Sequence, residues 1–176
     1  NNIALHNISS GVTISYYTLH SNVANIKKYL IDNGLTKGDK ACVYLERNLD
    51  YILVFYALNS IGCIIIPLNE DLVTKHLSYV NETLEPDFFI TENEFDSGFH
   101  YKISAIVKRE KQPSNIYENV ALIAYTSGTT SEPKGVMISN QNLESIIQAM
   151  NEFILLDDTS ILALLCMKHM YGFSIF

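Results

Sequence analysis

The sequence has few basic residues, few cysteines and no long uninterrupted hydrophobic run. Its 176 residues include 12 Lys and Arg against 19 Asp and Glu, which gives a formal net charge of −7. A protein that neutralises phosphates along a nucleic acid needs a basic face, so this charge balance argues against a nucleic-acid partner. Binding of a single nucleotide stays open, because a few local amides and one lysine suffice to hold its phosphates.

The three cysteines, Cys42, Cys63 and Cys166, lie far apart and form no Cys-x-x-Cys pair. A scattered, odd set of this kind predicts small buried hydrophobic residues in a reducing compartment rather than disulfides. The five histidines have no metal-ligand spacing either, so the sequence predicts no metal site built from protein ligands.

The longest apolar stretch runs from Tyr51 to Pro67 and is interrupted by Asn, Ser and Gly. It falls short of the ~20 residues that span a bilayer, and it predicts a helix followed by a strand instead. The N-terminus lacks the basic start and apolar run of a signal peptide. We therefore expect a cytoplasmic protein with no membrane span. The missing initiator Met and the end inside an apolar run at Phe176 suggest a trimmed chain.

Apolar periodicity predicts helices alternating with strands along the whole chain. Ser15 is suited to cap the first helix and Gly34 to end it, because glycine accepts the left-handed conformation. Crossovers long enough for helices predict an α/β fold, with a parallel-rich sheet flanked by helices. Further helices are expected at 49–60, 72–84 and 140–153, and strands at 40–45, 62–67, 87–91, 101–107, 120–125 and 161–166.

A segment rich in hydroxyl groups, from Thr126 to Gly135, follows a buried strand and is expected to precede a helix. Its glycines let backbone amides turn toward one point, and its hydroxyls can donate to phosphate oxygens. Lys134 supplies a mobile positive charge. The segment therefore predicts an anion-binding loop that grips phosphate. The alternative, taken from composition alone, is a polar surface loop.

Two well-known phosphate loops do not fit this segment. A Walker loop needs Gly-Lys followed by a hydroxyl residue, but here Lys134 precedes Gly135. The dinucleotide fingerprint needs closely spaced glycines, and Gly128 and Gly135 are too far apart.

The run Tyr-Thr-Ser-Gly-Thr-Thr-x-x-Pro-Lys-Gly-Val at 125–136 resembles the signature loop of the adenylate-forming superfamily. This superfamily comprises acyl- and aryl-CoA synthetases, adenylation domains of nonribosomal peptide synthetases, and luciferase. Residues 14–19, 58–68 and 166–172 resemble further segments of the family, so the likeness covers nearly the whole chain. Ser131 stands where the family often has Gly, and because serine accepts positive φ less readily, the turn there is expected to differ.

The resemblance implies a reaction in two steps. ATP and a carboxylic acid first give an acyl-adenylate and pyrophosphate, and a thiol of CoA or of a carrier protein's phosphopantetheine then takes the acyl group. ATP and Mg²⁺ are the implied cofactors. Lys134 is carried over as the catalytic residue, and the residues implied to contact the β- and γ-phosphates are Thr126, Ser127, Gly128, Thr129, Thr130 and Lys134.

The resemblance also places two residues in the substrate pocket, His169 and Gly172. His169 falls where many CoA synthetases carry a histidine near the reacting carboxyl group, although a histidine among apolar residues is also typical of a packed core. Peptide synthetases have an Asp for the substrate's amino group, and aligning Ser174 with their Ser puts Gly172 at that position. A buried ammonium group without a counter-charge is costly. A fatty, short acyl or aryl acid is therefore expected rather than an amino acid.

Three later parts of the family's sequence are not found in residues 1–176. They are the segment that binds adenine, the Asp that binds the ribose, and the lysine of the mobile C-terminal domain. We therefore expect the chain to be a truncated N-terminal portion of the AMP-binding domain, without the later subdomains and the C-terminal domain, and to have negligible turnover by itself. Three alternatives stay open. They are an amino-acid adenylation domain, a non-catalytic relative acting as a binding or scaffold domain, and an unrelated α/β module with a similar loop.

Overall fold

The structure, a computed structural model, describes residues 2–8, 10–45, 48–92, 101–105, 117–126 and 132–154. This part of the chain forms eight strands and five helices. In chain order they are β1 (Ile3–His6), β2 (Thr13–Ser15), α1 (Tyr16–Asp32), β3 (Lys40–Tyr44), α2 (Asn48–Ile61), β4 (Ile64–Pro67), α3 (Glu70–Lys75), α4 (Leu77–Leu84), β5 (Phe88–Glu92), β6 (Tyr101–Ala105), β7 (Val120–Thr126), β8 (Lys134–Ser139) and α5 (Asn140–Ile154).

The main sheet has six strands in the order β6-β5-β3-β4-β7-β8. Its four central strands are parallel, whereas β6 and β8 pair antiparallel to their neighbours at the two edges. The predicted α/β fold with a parallel-rich sheet flanked by helices is confirmed. The hairpin of β1 and β2 forms a separate two-stranded sheet that the sequence analysis did not predict.

Both faces of the parallel strands are buried, because helices cover each of them. Helices α1 and α2 pack on one face, around Val43, Ile65 and Leu122. Helices α3 and α4 cover the other face, where Leu72 and Val80 meet Ile123 of β7. Burial on both faces explains why these strands read as continuous apolar runs rather than as alternating patterns. The site described below depends on this double burial, because it fixes the position of β7.

The ends of the first helix are confirmed. The Ser15 side chain accepts a hydrogen bond from the backbone N–H of Thr18 at 3.1 Å, which satisfies one of the free donors at the helix start. The helix is followed by Gly34, whose φ of 93° is the left-handed conformation that favours glycine.

The helix predicted at 72–84 is wrong as a single element. The structure has two helices there, α3 and α4, which meet at His76 with φ −127° and ψ 10°. Leu72 and Val80 are both buried in the same cluster, so the bend presents the apolar side chains of two short helices to one sheet. The strand expected at 161–166 lies outside the described residues.

The apolar stretch from Tyr51 to Pro67 contains most of α2 and then β4, as predicted. Within the described ranges, no helix is both long enough and apolar enough to cross a membrane.

Two of the three cysteines behave as the sequence analysis expects. Cys42 and Cys63 are buried free thiols, whereas Cys166 lies outside the described residues. Burial raises the pKa of Cys42 to about 12, with a smaller opposing effect from the nearby positive charge of Lys40. The Cys42 thiol therefore stays protonated at neutral pH and packs as a small apolar group.

A buried carboxylate holds the turn that leads into β3. Asp39 is 2% exposed, and its Oδ2 accepts hydrogen bonds from the backbone N–H of Thr36 at 2.5 Å and from Thr36 Oγ1 at 2.9 Å. The backbone carbonyl of Asp39 accepts from Ile64 at the start of β4. One residue therefore sets both the turn and the starting point of the β3–β4 pairing.

We predict that Asp39→Ala lowers the free energy of unfolding by about 2 kcal/mol, because the two Thr36 donors lose their buried acceptor. Asp39→Asn should cost less, since an amide oxygen can still accept. Urea unfolding measures both values. The matched control is Asp71→Ala, which removes an exposed (i, i+4) pair with Lys75 and should leave the unfolding midpoint unchanged. Equal midpoints for Asp39→Ala and the wild type would show that the turn does not depend on this carboxylate.

Candidate functional site

The candidate phosphate loop connects two paired strands, β7 and β8. Tyr125 pairs with Gly135 and Thr126 pairs with Lys134, and these are the last pairs before the loop. The helix expected after the loop, at 140–153, is present as α5, but the strand β8, which was not predicted, lies between the loop and that helix. The loop is thus the tip of an antiparallel hairpin at the carboxyl end of β7. Ligands of open α/β sheets bind at the carboxyl ends of their parallel strands.

The structure brings two of the predicted site residues together. Thr126 Oγ1 donates to the backbone carbonyl of Lys134 at 3.4 Å, across the base of the loop. Both residues are exposed, and neither of the two ion pairs found among the described residues involves Lys134. The threonine at the start of the loop and the lysine at its end therefore lie opposite each other in the ladder. Hydroxyl and ammonium groups can both donate to a phosphate.

Four of the predicted phosphate-contacting residues lie outside the described residues, namely Ser127, Gly128, Thr129 and Thr130, and so does Ser131. The two predicted pocket residues, His169 and Gly172, also lie outside them. The roles given to these residues stay predictions. In the described parts of the chain, no group of three His, Cys, Asp or Glu side chains is arranged to hold a metal ion.

The register of the hairpin decides which way Lys134 points. Successive side chains of a strand lie on opposite faces of the sheet, so Thr126 and Lys134 share one face while Tyr125 and Gly135 share the other. A slip of one residue would move Lys134 to the opposite face. The pairing of Tyr125 with Gly135, next to the loop, therefore controls the orientation of the candidate catalytic lysine.

Tyr125 lies over Gly135 on the face covered by α4. A Cβ atom added at Gly135 would lie 3.1 Å from Ile123 Cγ2 and 3.6 Å from Cε1 and Cζ of the Tyr125 ring. The first distance is shorter than ordinary van der Waals contact. A side chain at position 135 would therefore force the Ile123 side chain to move by a few tenths of an ångström.

The Tyr125 ring also borders a shallow groove of about 200 Å³ between α4 and the hairpin. Burial raises the pKa of the Tyr125 hydroxyl. The distance between Tyr125 OH and Thr83 Oγ1 is 3.4 Å. The groove is lined by Tyr79, Thr83, Leu84, Tyr117, Ile123, Tyr125, Gly135 and Met137.

Sequence reasoning gave no role to Thr83 and named Tyr125 only as part of the motif. Thr83 is an ordinary polar residue of a helix 42 positions away from Tyr125, and no local pattern signals their contact. The missed strand β8 did have a signal. Lys134–Ser139 contains adjacent β-branched and apolar residues that suit a strand at least as well as a loop.

Three comparisons with known proteins agree with one another. The family model described as AMP-binding enzyme matches residues 1–176. The 2-succinylbenzoate–CoA ligase of Bacillus cereus is 28% identical over 170 residues, which cover 92% of this chain and 35% of the ligase. Surfactin synthase subunit 1 of Bacillus subtilis is 29% identical over 150 residues, covering 81% of this chain and 4% of that protein. The chain thus spans only about a third of the CoA ligase and far less of the synthase.

A solved structure shares the fold. The O-succinylbenzoate coenzyme A synthetase of Bacillus subtilis, in complex with ATP and a magnesium ion, superposes with a TM-score of 0.73 at 22% identity. The match covers 98% of this chain and 49% of that one.

We predict that Gly135→Ala destabilises the hairpin by about 1 kcal/mol, because the Ile123 side chain must move to admit the new methyl group. The same substitution should cost less in an Ile123→Ala background, where the crowding atom is gone. Urea unfolding of the two single variants and the double variant gives this coupling. Strictly additive effects would show that Ile123 and residue 135 do not meet as described.

Proposed function

Since the chain belongs to the family of AMP-binding enzymes, we propose that the full-length protein is an acid–thiol ligase that activates a carboxylic acid with ATP. In the first step, a carboxylate oxygen attacks the α-phosphorus of ATP. The bond from the α-phosphorus to the bridging oxygen breaks, and pyrophosphate leaves with the bond's electrons. In the second step, a thiol takes the acyl group and AMP is released.

The observation that carries this proposal is the pairing of Thr126 with Lys134 at the base of the hairpin loop. Both side chains are exposed at the carboxyl end of β7. A hydroxyl residue paired with a lysine suits the oxygens of a polyphosphate better than it suits a neutral ligand. The match of the whole chain to the family model supports the same assignment.

Lys134 has the central role in the proposed mechanism. Negative charge develops on pyrophosphate as it leaves, and a fixed cation beside it lowers the barrier. We assign this stabilisation to Lys134, with Ser127, Gly128, Thr129 and Thr130 donating to the β- and γ-phosphates. Thr126 would join them by turning its hydroxyl proton from the Lys134 carbonyl to a phosphate oxygen. Mg²⁺, when bound with ATP, supplies further positive charge to the phosphates.

For the acid, we propose a fatty, short acyl or aryl carboxylic acid, with His169 and Gly172 in the substrate pocket. Gly172 would offer no counter-charge to an α-ammonium group, which disfavours amino acids. The likeness to a 2-succinylbenzoate–CoA ligase supports an acid without an α-amine and CoA as acceptor. The likeness to surfactin synthase subunit 1 supports the second candidate, an amino-acid adenylation domain whose thiol is a carrier protein's phosphopantetheine.

We also propose that residues 1–176 form the N-terminal part of the AMP-binding domain, and that the rest of the active site comes from later segments of the full-length protein. The small share of the curated relatives that this chain covers supports this division.

We predict that Lys134→Ala in the full-length protein weakens Mg·ATP binding at least tenfold, because a charge-assisted contact is worth about 1.5–3 kcal/mol. Isothermal titration calorimetry with Mg·ATP measures the dissociation constant. Lys28→Ala is the matched control, since it removes an exposed lysine of α1 that is paired with Asp32, away from the hairpin. Equal affinities of the wild type and Lys134→Ala for Mg·ATP would show that Lys134 does not contact the phosphates.

We predict that acid-dependent exchange of pyrophosphate into ATP is fastest with an acid that lacks an α-amine. A panel of fatty, short acyl, aryl and α-amino acids, assayed with the full-length protein, decides between the two candidate functions. If exchange is fastest with an α-amino acid, the protein is an amino-acid adenylation domain and the proposal of a CoA ligase is wrong. Exchange with no acid, despite Mg·ATP binding, would favour a non-catalytic relative.

A further inference from the structure

We propose that Thr83 and Tyr125 are positioning residues, which anchor the hairpin of the phosphate loop to α4 and thereby hold Lys134 on the side where the proposed function needs it. The proposal rests on the proposed function for its effect on ATP. It rests on the described structure for its effect on the hairpin.

The anchor is a chain of two hydrogen bonds. Thr83 Oγ1 donates its proton to the backbone carbonyl of Tyr79, one turn earlier in α4, at 2.7 Å. A hydroxyl group has one proton, so toward Tyr125 the Thr83 oxygen can only accept. The direction is therefore fixed, with Tyr125 OH donating to Thr83 Oγ1 at 3.4 Å. The helix backbone holds Thr83, and Thr83 in turn holds the tip of the Tyr125 side chain.

The tyrosine ring links this anchor to β8. Tyr125 stands directly opposite Gly135 in the ladder, and the ring covers the position that a side chain at Gly135 would occupy. An aromatic side chain that lies across a glycine of the neighbouring strand stabilises the pair, because it fills the space that glycine leaves open. β8 is an edge strand with one hydrogen-bonded neighbour in the six-stranded sheet, so this contact adds to the few that hold it in place.

The anchor affects ligand binding because Tyr125 and Gly135 pair close to the loop. The ends of a hairpin fray most easily, and the pair of Tyr125 and Gly135 lies one step from the loop. If it opens, Lys134 loses its place opposite Thr126. A ligand must then order the loop base as it binds, and that ordering weakens affinity. Affinity for the phosphates of ATP should therefore depend on two hydroxyl groups that lie on the opposite face of the sheet from Lys134.

The test uses Thr83→Val and Tyr125→Phe in the full-length protein, which remove one hydroxyl each and keep the size of the side chain. Thr74→Val is a matched control. Thr74 is likewise an exposed helical threonine that donates to the carbonyl four residues earlier, in α3, and its side chain has no hydrogen bond to the described part of the hairpin. Thr83→Ser should behave as wild type, because it keeps the accepting oxygen.

The first readout is hydrogen–deuterium exchange of the β8 amides without nucleotide. We expect Thr83→Val and Tyr125→Phe each to speed exchange in β8 about two- to fivefold, as the loss of one hydrogen bond from the weaker part of the usual range predicts. The double variant should exchange no faster than either single variant, because both remove the same bond. Unchanged exchange in both single variants, an equal rise in Thr74→Val, or additive effects in the double variant would overturn the proposal.

The second readout separates positioning from general stability. We expect the KM for Mg·ATP to rise about fivefold in Thr83→Val and Tyr125→Phe, with the KM for the carboxylic acid and the thermal midpoint as in Thr74→Val. Faster β8 exchange with an unchanged KM for Mg·ATP would refute positioning for catalysis. If the wild type binds no Mg·ATP, the proposed function fails, and the exchange data still decide whether the two hydroxyl groups anchor the hairpin.

Discussion

The burial of β7 on both faces, between parallel β4 and antiparallel β8, is the constraint on which the site depends. Leu122 and Ala124 point into the core under α1 and α2, whereas Ile123 points into the core under α3 and α4. A strand held from both sides can neither rotate nor slide without exposing apolar surface, and a shift of one residue would exchange its two faces. The packing of β7 therefore fixes its end, and with it the start of the loop at Thr126.

Much of the fold could be predicted because its signals are local. Three of the five helices, α1, α2 and α5, and the central strands stand near the expected positions, since apolar periodicity and the end signals at Ser15 and Gly34 report on the backbone directly. The edges of the sheet were harder to predict. The hairpin of β1 and β2 is short, and β8 follows a run of loop-forming residues. The prediction of a single helix at 72–84 is wrong because the bend at His76 follows from packing against the sheet. No proline or glycine marks the bend in the sequence.

The candidate site, like the fold, has parts that the sequence predicts and parts that it does not. Thr126 and Lys134 are predicted from the residue types of the loop and from the family resemblance, and the structure places them opposite each other. Their pairing across a hairpin depends on β8, for which the sequence carries only the weak signal of the apolar and β-branched residues in Lys134–Ser139. The contact of Tyr125 with Thr83 was also beyond the sequence. It joins positions that only the folding of α4 over the sheet brings together.

The direct junction of β8 and α5 has a mechanical consequence. α5 begins at Asn140, immediately after the last residue of β8. Ser139 and Asn142 exchange hydrogen bonds across the first turn, and the Asn140 side chain accepts one from Asn59 of α2 at 3.0 Å. With no slack between strand and helix, a displacement of β8 along its axis must carry the first turn of α5 with it. The loop end of the hairpin and the first turn of α5 are thus joined by one continuous strand, and the hydrogen bond from Asn59 of α2 ties the helix end of that strand to the rest of the fold.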